Sequence, residues 1–176
     1  MDDLNRLSVE DFQGAAKNSF VLLLDDIRSL NNVGSIFRTA DAFRVEKIYL
    51  CGITGTPPHR DITKTALGAE DAVAWQYAPD VVQLVQNLRI EGYQIVAIEQ
   101  VEGSTLLQDF EPILHKKYAF VLGNEVFGVN ETVIARCDMC LEIPQFGTKH
   151  SLNVAVSAGI VAWQFLAKSN KNLILK

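Results

Sequence analysis

The sequence predicts an α/β fold, a mostly parallel sheet with helices on both faces, and three observations carry that reading. Short β-rich apolar runs alternate with segments of helical spacing. Several of the runs are continuously apolar, as strands covered on both faces are. The 176 residues are 48% hydrophobic and 21% charged, a composition that buries a core. With no internal repeat, low-complexity tract or linker, residues 1–176 read as one domain, of which 1–18 form a short N-terminal extension.

Each element follows from its residues. Ser19–Leu24 (SFVLLL) is a buried strand that ends at Asp25-Asp26. Asn31–Phe43 places Val33, Ile36, Phe37, Ala40 and Phe43 at helical spacing, with Asn31 or Asn32 able to cap it. Lys47–Cys51 is the next strand, and Gly52–Arg60, with two glycines and Pro57-Pro58, is a loop. Val73–Tyr77 is a strand and Pro79–Arg89 a helix with proline near its first turn. Tyr93–Ile98, Tyr118–Leu122 and Met139–Ile143 complete the strands, and a helix runs from about Leu152 to Lys168. That last helix is apolar on nearly every side, so it should be buried all round. Its small residues Ala155, Ala158, Gly159 and Ala162 allow another backbone to approach, either within the chain or across a symmetric dimer.

Charge and cysteine content narrow the function. Sixteen Lys and Arg against 21 Asp and Glu give a net charge of −5, so contact with a nucleic acid requires a local basic patch. The acidic start MDDLNRLSVEDF lacks the layout of a secretory signal. The longest apolar stretch is interrupted by Asn153, Ser157 and Gln164 and is too short to span a bilayer. Three cysteines form no disulfide framework, which points to a reducing cytoplasm.

Ligands in open α/β sheets sit at the carboxyl ends of strands, and three such junctions are decorated. After the first strand comes DDIRSLNNVGSIFR, in which Arg38 is either a solvated charge or an anion contact. The second is FVLGNEVFGV, where Gly123 permits a tight turn and Glu125 is either an acid–base group or an exposed turn residue. Its glycines are spaced as in a P-loop, but Val129-Asn130 stands where Lys-Ser/Thr is required, and no GxGxxG is present. In the third, a strand stops at Pro144, a polar loop with Gly147 follows, and Ser151-Leu152-Asn153 opens the apolar helix. Ser151 there is a helix N-cap, a ligand contact or both. Cys137 and Cys140 form a CxxC without the further ligands that zinc needs, and on a strand they would face opposite ways, so no metal site is expected. The His150-Ser151 pair lacks the GxSxG elbow of a hydrolase.

Taken together, NNVGSIFRTADAF (from residue 31 to 43), FVLGNEVFGV (120–129) and IPQFGTKHSLNVAVSAGI (143–160) resemble, in order, the three motifs of SpoU/TrmH-type RNA ribose 2′-O-methyltransferases of the SPOUT superfamily. The resemblance implies a Rossmann-like α/β domain whose C-terminal part is threaded into a trefoil knot, against the general expectation for folds. It implies S-adenosylmethionine as cofactor, held around Leu122, Gly123, Asn124, Ile143, Pro144, Ser151 and Leu152. Asn32 and Arg38 match the catalytic polar pair, Glu125 the second-motif acid, and Ser151 and Asn153 the third-motif polar residues. It also implies an active site at a homodimer interface and no metal. Because an arginine rarely deprotonates, Arg38 is expected to hold an RNA phosphate and stabilise oxyanion charge, while Glu125 or solvent takes the proton. Arg28, Arg38, Arg60 and Lys149, with Arg44, His59, Lys64 and His150, are the candidate RNA contacts, and transfer RNA is preferred over ribosomal RNA. The rivals are base methylation, a noncatalytic RNA-binding dimer and a nicotinamide-dependent oxidoreductase.

Overall fold

Continuous apolar runs form the centre of the structure, a computed structural model that describes residues 7–149 and 151–169; His150 lies outside them. Seven strands make one sheet, all pairings parallel: β1 (Asn18–Asp25), β2 (Val45–Cys51), β3 (Trp75–Ala78), β4 (Tyr93–Ile98), β5 (Thr105–Leu106), β6 (Lys117–Leu122) and β7 (Met139–Glu142). The spatial order is β3-β2-β1-β6-β4-β7-β5. Interior strand β1 pairs Leu22 with Ile48 on one side and with Phe120 on the other. Its side chains alternate between two cores, because successive residues of a strand point to opposite faces.

Phe20, Leu22 and Leu24 join the larger core with Ile48, Leu50, Phe120 and Leu122. It is covered by α1 (Val9–Gly14), α2 (Leu30–Ala42), α3 (Arg60–Ala66), α4 (Ala69–Ala72) and α7 (Val154–Ser169). Val21 and Leu23 join the smaller core with Tyr49, Ile95, Ala119 and Val121, under α5 (Val81–Ile90) and α6 (Glu131–Ile134). Helices thus cover both faces. Phe165 of α7 seats the last helix in the larger core, its ring centroid 4.8 Å from Phe20 and 5.4 Å from Tyr118.

The helix ends differ from the sequence reading in four places. Ser29 caps α2, its hydroxyl accepting from the Asn32 N–H at 3.3 Å, so neither Asn31 nor Asn32 is the cap. Asp80 caps α5 by accepting from Val82 and Gln83, which leaves Pro79 outside the helix. Asn153 rather than Ser151 caps α7, accepting from the Ala155 N–H at 2.9 Å. In the expected N-terminal extension, α1 forms under a Ser8 cap and puts Phe12 into the core.

Nor is α7 buried all round. Val154, Ala158, Val161, Ala162, Phe165 and Leu166 face the core, whereas Val156, Ile160 and Trp163 form an exposed apolar stripe. Glycine matters where α2 meets α3. A Cβ on Gly34 would lie 2.2 Å from the Ile62 carbonyl oxygen, so the helices touch backbone to backbone.

Candidate active site

Adjacent strands β6, β4 and β7 all point their carboxyl ends the same way, and a cavity of about 310 Å³ opens there. Leu122, Gly123, Asn124 and Glu125 line it from the end of β6. Ile143, Ser151 and Leu152 line it from the β7–α7 segment. Pro144 is half-buried beside Ile143 without lining the cavity. Glu99 and Gln100, directly after β4, also line it, as does Ser157 of α7. Sequence reasoning missed these three. The signal for the first two was their position directly after the YQIVAI strand.

The loop after β6 is rigid by construction. Asn124 and Gly128 exchange two backbone hydrogen bonds, Asn124 N–H to Gly128 O at 3.0 Å and Gly128 N–H to Asn124 O at 2.9 Å. The Asn124 side chain accepts from the N–H groups of Val126 and Phe127 and donates to the Asp26 carbonyl at 2.7 Å. A Cβ on Gly123 would sit 2.2 Å from the Gly128 carbonyl carbon, and Gly128 itself has φ +69°. Two glycines are therefore required for the loop to fold back on itself. The Glu99 carboxylate braces it, accepting from the Val129 N–H at 2.9 Å.

Glu125 is held as tightly. One carboxylate oxygen accepts from the Arg28 N–H and the other from the Ser29 N–H, both at 3.0 Å, and the Asn32 amide donates to the second at 3.1 Å. Partial burial opposes ionisation, but these N–H donors outweigh it and hold the carboxyl below its ordinary range. The Asn153 amide donates in turn to Asn32 Oδ1 at 3.0 Å. Three of the residues singled out in the sequence, one from each segment, thus form one chain of hydrogen bonds beside the cavity. Ser151 carries an exposed hydroxyl at the rim.

Arg38 is not brought to this network. It is exposed on α2 and lines a separate hollow with Ser35, Thr39, Lys64 and Thr65. Arg28, Arg60, Lys64, Arg44 and Lys149 are exposed too, and Arg28 lies beside the clamped carboxylate of Glu125. His59 is also exposed, but its Nδ1 caps α3 by accepting from the Asp61 N–H.

Among the described residues, no group of three or more His, Cys, Asp or Glu is placed to hold a metal. Cys137 precedes β7 rather than lying on it, so it packs on the same layer as Cys140 instead of opposite it. Burial pushes the Cys137 thiol up to about 12 and raises Cys140 as well, which leaves both as unreactive thiols. No helix among the described residues is long and apolar enough to cross a membrane.

A family described as the SpoU rRNA Methylase family matches residues 19–163, a span that includes the whole cavity wall. The chain belongs to the SpoU rRNA methylase family. Among curated proteins, it is 30% identical over 173 residues to the 23S rRNA (guanosine-2′-O-)-methyltransferase RlmB of Neisseria meningitidis serogroup B, covering 98% of this chain. It spans 66% of that relative's length. Among solved structures, an AdoMet-bound rRNA methyltransferase from Sinorhizobium meliloti superposes with a TM-score of 0.79 at 26% identity, covering 89% of this chain and 59% of the other. The A. aeolicus TrmH/SpoU tRNA modifying enzyme shares the fold with a TM-score of 0.82 at 22% identity, over 94% and 84% of the two chains.

Proposed function

We propose that the protein is an RNA methyltransferase that transfers the methyl group of S-adenosylmethionine to a ribose 2′-hydroxyl. The observation that carries this reading is the Asn153–Asn32–Glu125 network beside a glycine-walled cavity at the carboxyl ends of β4, β6 and β7. The cavity suits the cofactor chemically. Apolar Leu122, Leu141, Ile143 and Leu152 provide faces for an adenine, while Glu99, Gln100 and the backbone after β6 provide polar partners. When bound, S-adenosylmethionine supplies an electrophilic methyl carbon on a sulfonium. Held against Leu122, Gly123 and Leu152, it would supply that methyl to the ribose oxygen, with the electron pair of the cleaved carbon–sulfur bond left on sulfur and the hydroxyl proton passing to solvent.

Orientation is the chain's main contribution. Ser151 lines the cavity, where its hydroxyl holds the ribose together with the amide of Asn153 two residues on. Glu125 acts as a clamp and not as the base. Its carboxylate is already occupied by three N–H donors and is held below the usual range, so solvent accepts the proton. Arg38 binds an RNA phosphate and steadies the developing oxyanion. Because it lies away from its own cavity, it serves the site of a second copy. The exposed stripe of Val156, Ile160 and Trp163 supports a homodimer joined through α7. A C-terminal segment that leaves β7, near one edge of the sheet, and returns to pack on α2 and the β1–β6 core supports the trefoil knot.

Transfer RNA, rather than ribosomal RNA, is the proposed substrate, and the three free cysteines suit a reducing cytoplasm. The test is incubation with isotopically labelled S-adenosylmethionine and total RNA, followed by nucleoside mass spectrometry. A labelled 2′-O-methylnucleoside is expected. A labelled base, or no label, removes the reading.

A further inference from the structure

Large apolar side chains seldom stand fully in water, yet Phe127, on the lining of the cavity, is 84% exposed, and Phe146, next in the chain to the lining residue Gln145, is 97% exposed. The exposure of Phe127 is not that of a slack loop. Its N–H is bound by Asn124 Oδ1 at 3.2 Å, and the turn is closed by the paired backbone bonds of Asn124 and Gly128. A rigid turn therefore holds an aromatic face out at the mouth of the site.

Geometry limits what can meet it. On the reading that a ribose 2′-hydroxyl enters this cavity, the base on the same sugar is tied to it through C1′ and must lie at the rim. A base whose ribose is bound in a pocket has left its own stack and lost its neighbours' π-faces. Aromatic rings at the rim replace them, and every base offers a face to such a ring. We propose that Phe127 and Phe146 form the stacking platform for the target nucleobase. The two rings hold the nucleotide by its plane, not by its hydrogen-bonding edge, so they select an unstacked position and not a particular base.

This inference rests on the ribose-methylation reading, and one set of assays separates the two. Phe127→Ala, Phe146→Ala and Phe127→Tyr are compared with the wild type for labelled methyl transfer into transcribed, unmodified transfer RNA and 23S ribosomal RNA. The same RNAs are used in filter binding, and each variant is checked for S-adenosylmethionine affinity by calorimetry and for sedimentation. The alanine variants should raise the half-saturating RNA concentration at least tenfold, Phe127→Tyr should restore it, and cofactor affinity and sedimentation should stay within twofold of wild type. A loss of cofactor affinity would mean that the ring covers the adenosine, and a change in sedimentation that it packs against a second copy. Either outcome, or unchanged RNA dependence, overturns the platform. If the wild type methylates neither RNA, the ribose reading fails; RNA binding that is then insensitive to Phe127→Ala overturns the platform as well.

Discussion

Asn153 donates its side-chain amide to Asn32 Oδ1 at 3.0 Å, across 121 positions of chain, and so ties the first turn of α7 to the first turn of α2. The same Asn153 caps its own helix. Replacing Asn153 by Ala should therefore cost the cap, about 1 kcal/mol, plus the tie, whereas Asn32→Ala loses the tie and one donor to Glu125. A double-mutant cycle read by urea denaturation should give a coupling of about 0.5–1.5 kcal/mol. Additive losses would show that the contact does no energetic work.

Glu125→Gln should leave two backbone N–H groups competing for one oxygen, a loss of about 1–3 kcal/mol. The folded carboxyl titrates below its unfolded value, so its contribution is complete above the unfolded pKa and is lost as pH falls through the lower folded one. Denaturation curves of the wild type and Glu125→Gln should differ by a constant amount above about pH 6 and converge below about pH 4. A gap that instead opens or closes near neutrality would contradict the clamp.

Asp25 carries the opposite sign. It is 4% exposed at the end of β1, and burial, with neighbouring Asp26 adding to it, pushes its carboxyl up to about 6. Its folded pKa exceeds its unfolded one, so the folded state holds the proton more tightly and stability falls as pH rises through the window from about 4 to 6. Asp25→Asn should remove that slope and raise stability at pH 7 by about 1–3 kcal/mol. Thermal melts across the window give the answer, and an unchanged slope would refute it.

Gly123→Ala should abolish cofactor binding in calorimetry, because its Cβ would lie 2.2 Å from the backbone of Gly128 and Val129 and force the loop open. Gly128→Ala should do so less completely, since strain at φ +69° costs about 1–2 kcal/mol and the Glu99 side chain can move aside. Equal and full binding by both variants would mean that the cavity does not depend on this loop.

If the chain forms the proposed homodimer, mixed dimers test where Arg38 acts. Arg38→Ala and Ser151→Ala should each be inactive alone, yet bind S-adenosylmethionine in the Arg38 case. Refolded together at equal amounts, they should recover about a quarter of wild-type transfer, since half the dimers are mixed and each of those has one intact site. No recovery would place Arg38 in its own chain's site.

The strands were legible because parallel strands buried on both faces are written as unbroken apolar runs, SFVLLL above all. The short pieces were not. α4 and α6 are four residues each, β5 is two, and α3 is seven, too few for a period to declare itself. The caps failed for a different reason. Ser29, Asn31 and Asn32 are all capping types within four positions, and Ser151 and Asn153 pose the same choice, so only the path of the chain decides. Residue identity marked Asn32, Glu125 and Asn153. That they bond to one another was not written in any local pattern, and neither was the separation of Arg38 from them.

The Glu125–Asn32 and Asn153–Asn32 bonds join residues 93 and 121 positions apart. During synthesis, β1, β2 and α2 emerge with nothing to recognise, and the last wall of the cavity arrives only with Ser151 and the helix that follows. A nascent or truncated chain that stops before this point has every strand of the sheet and most of the cavity lining, but lacks Ser151, Leu152, Val154 and Ser157 of its last wall. Stabilisation by a ligand that touches this last wall should therefore appear only once residues 151–157 are in place.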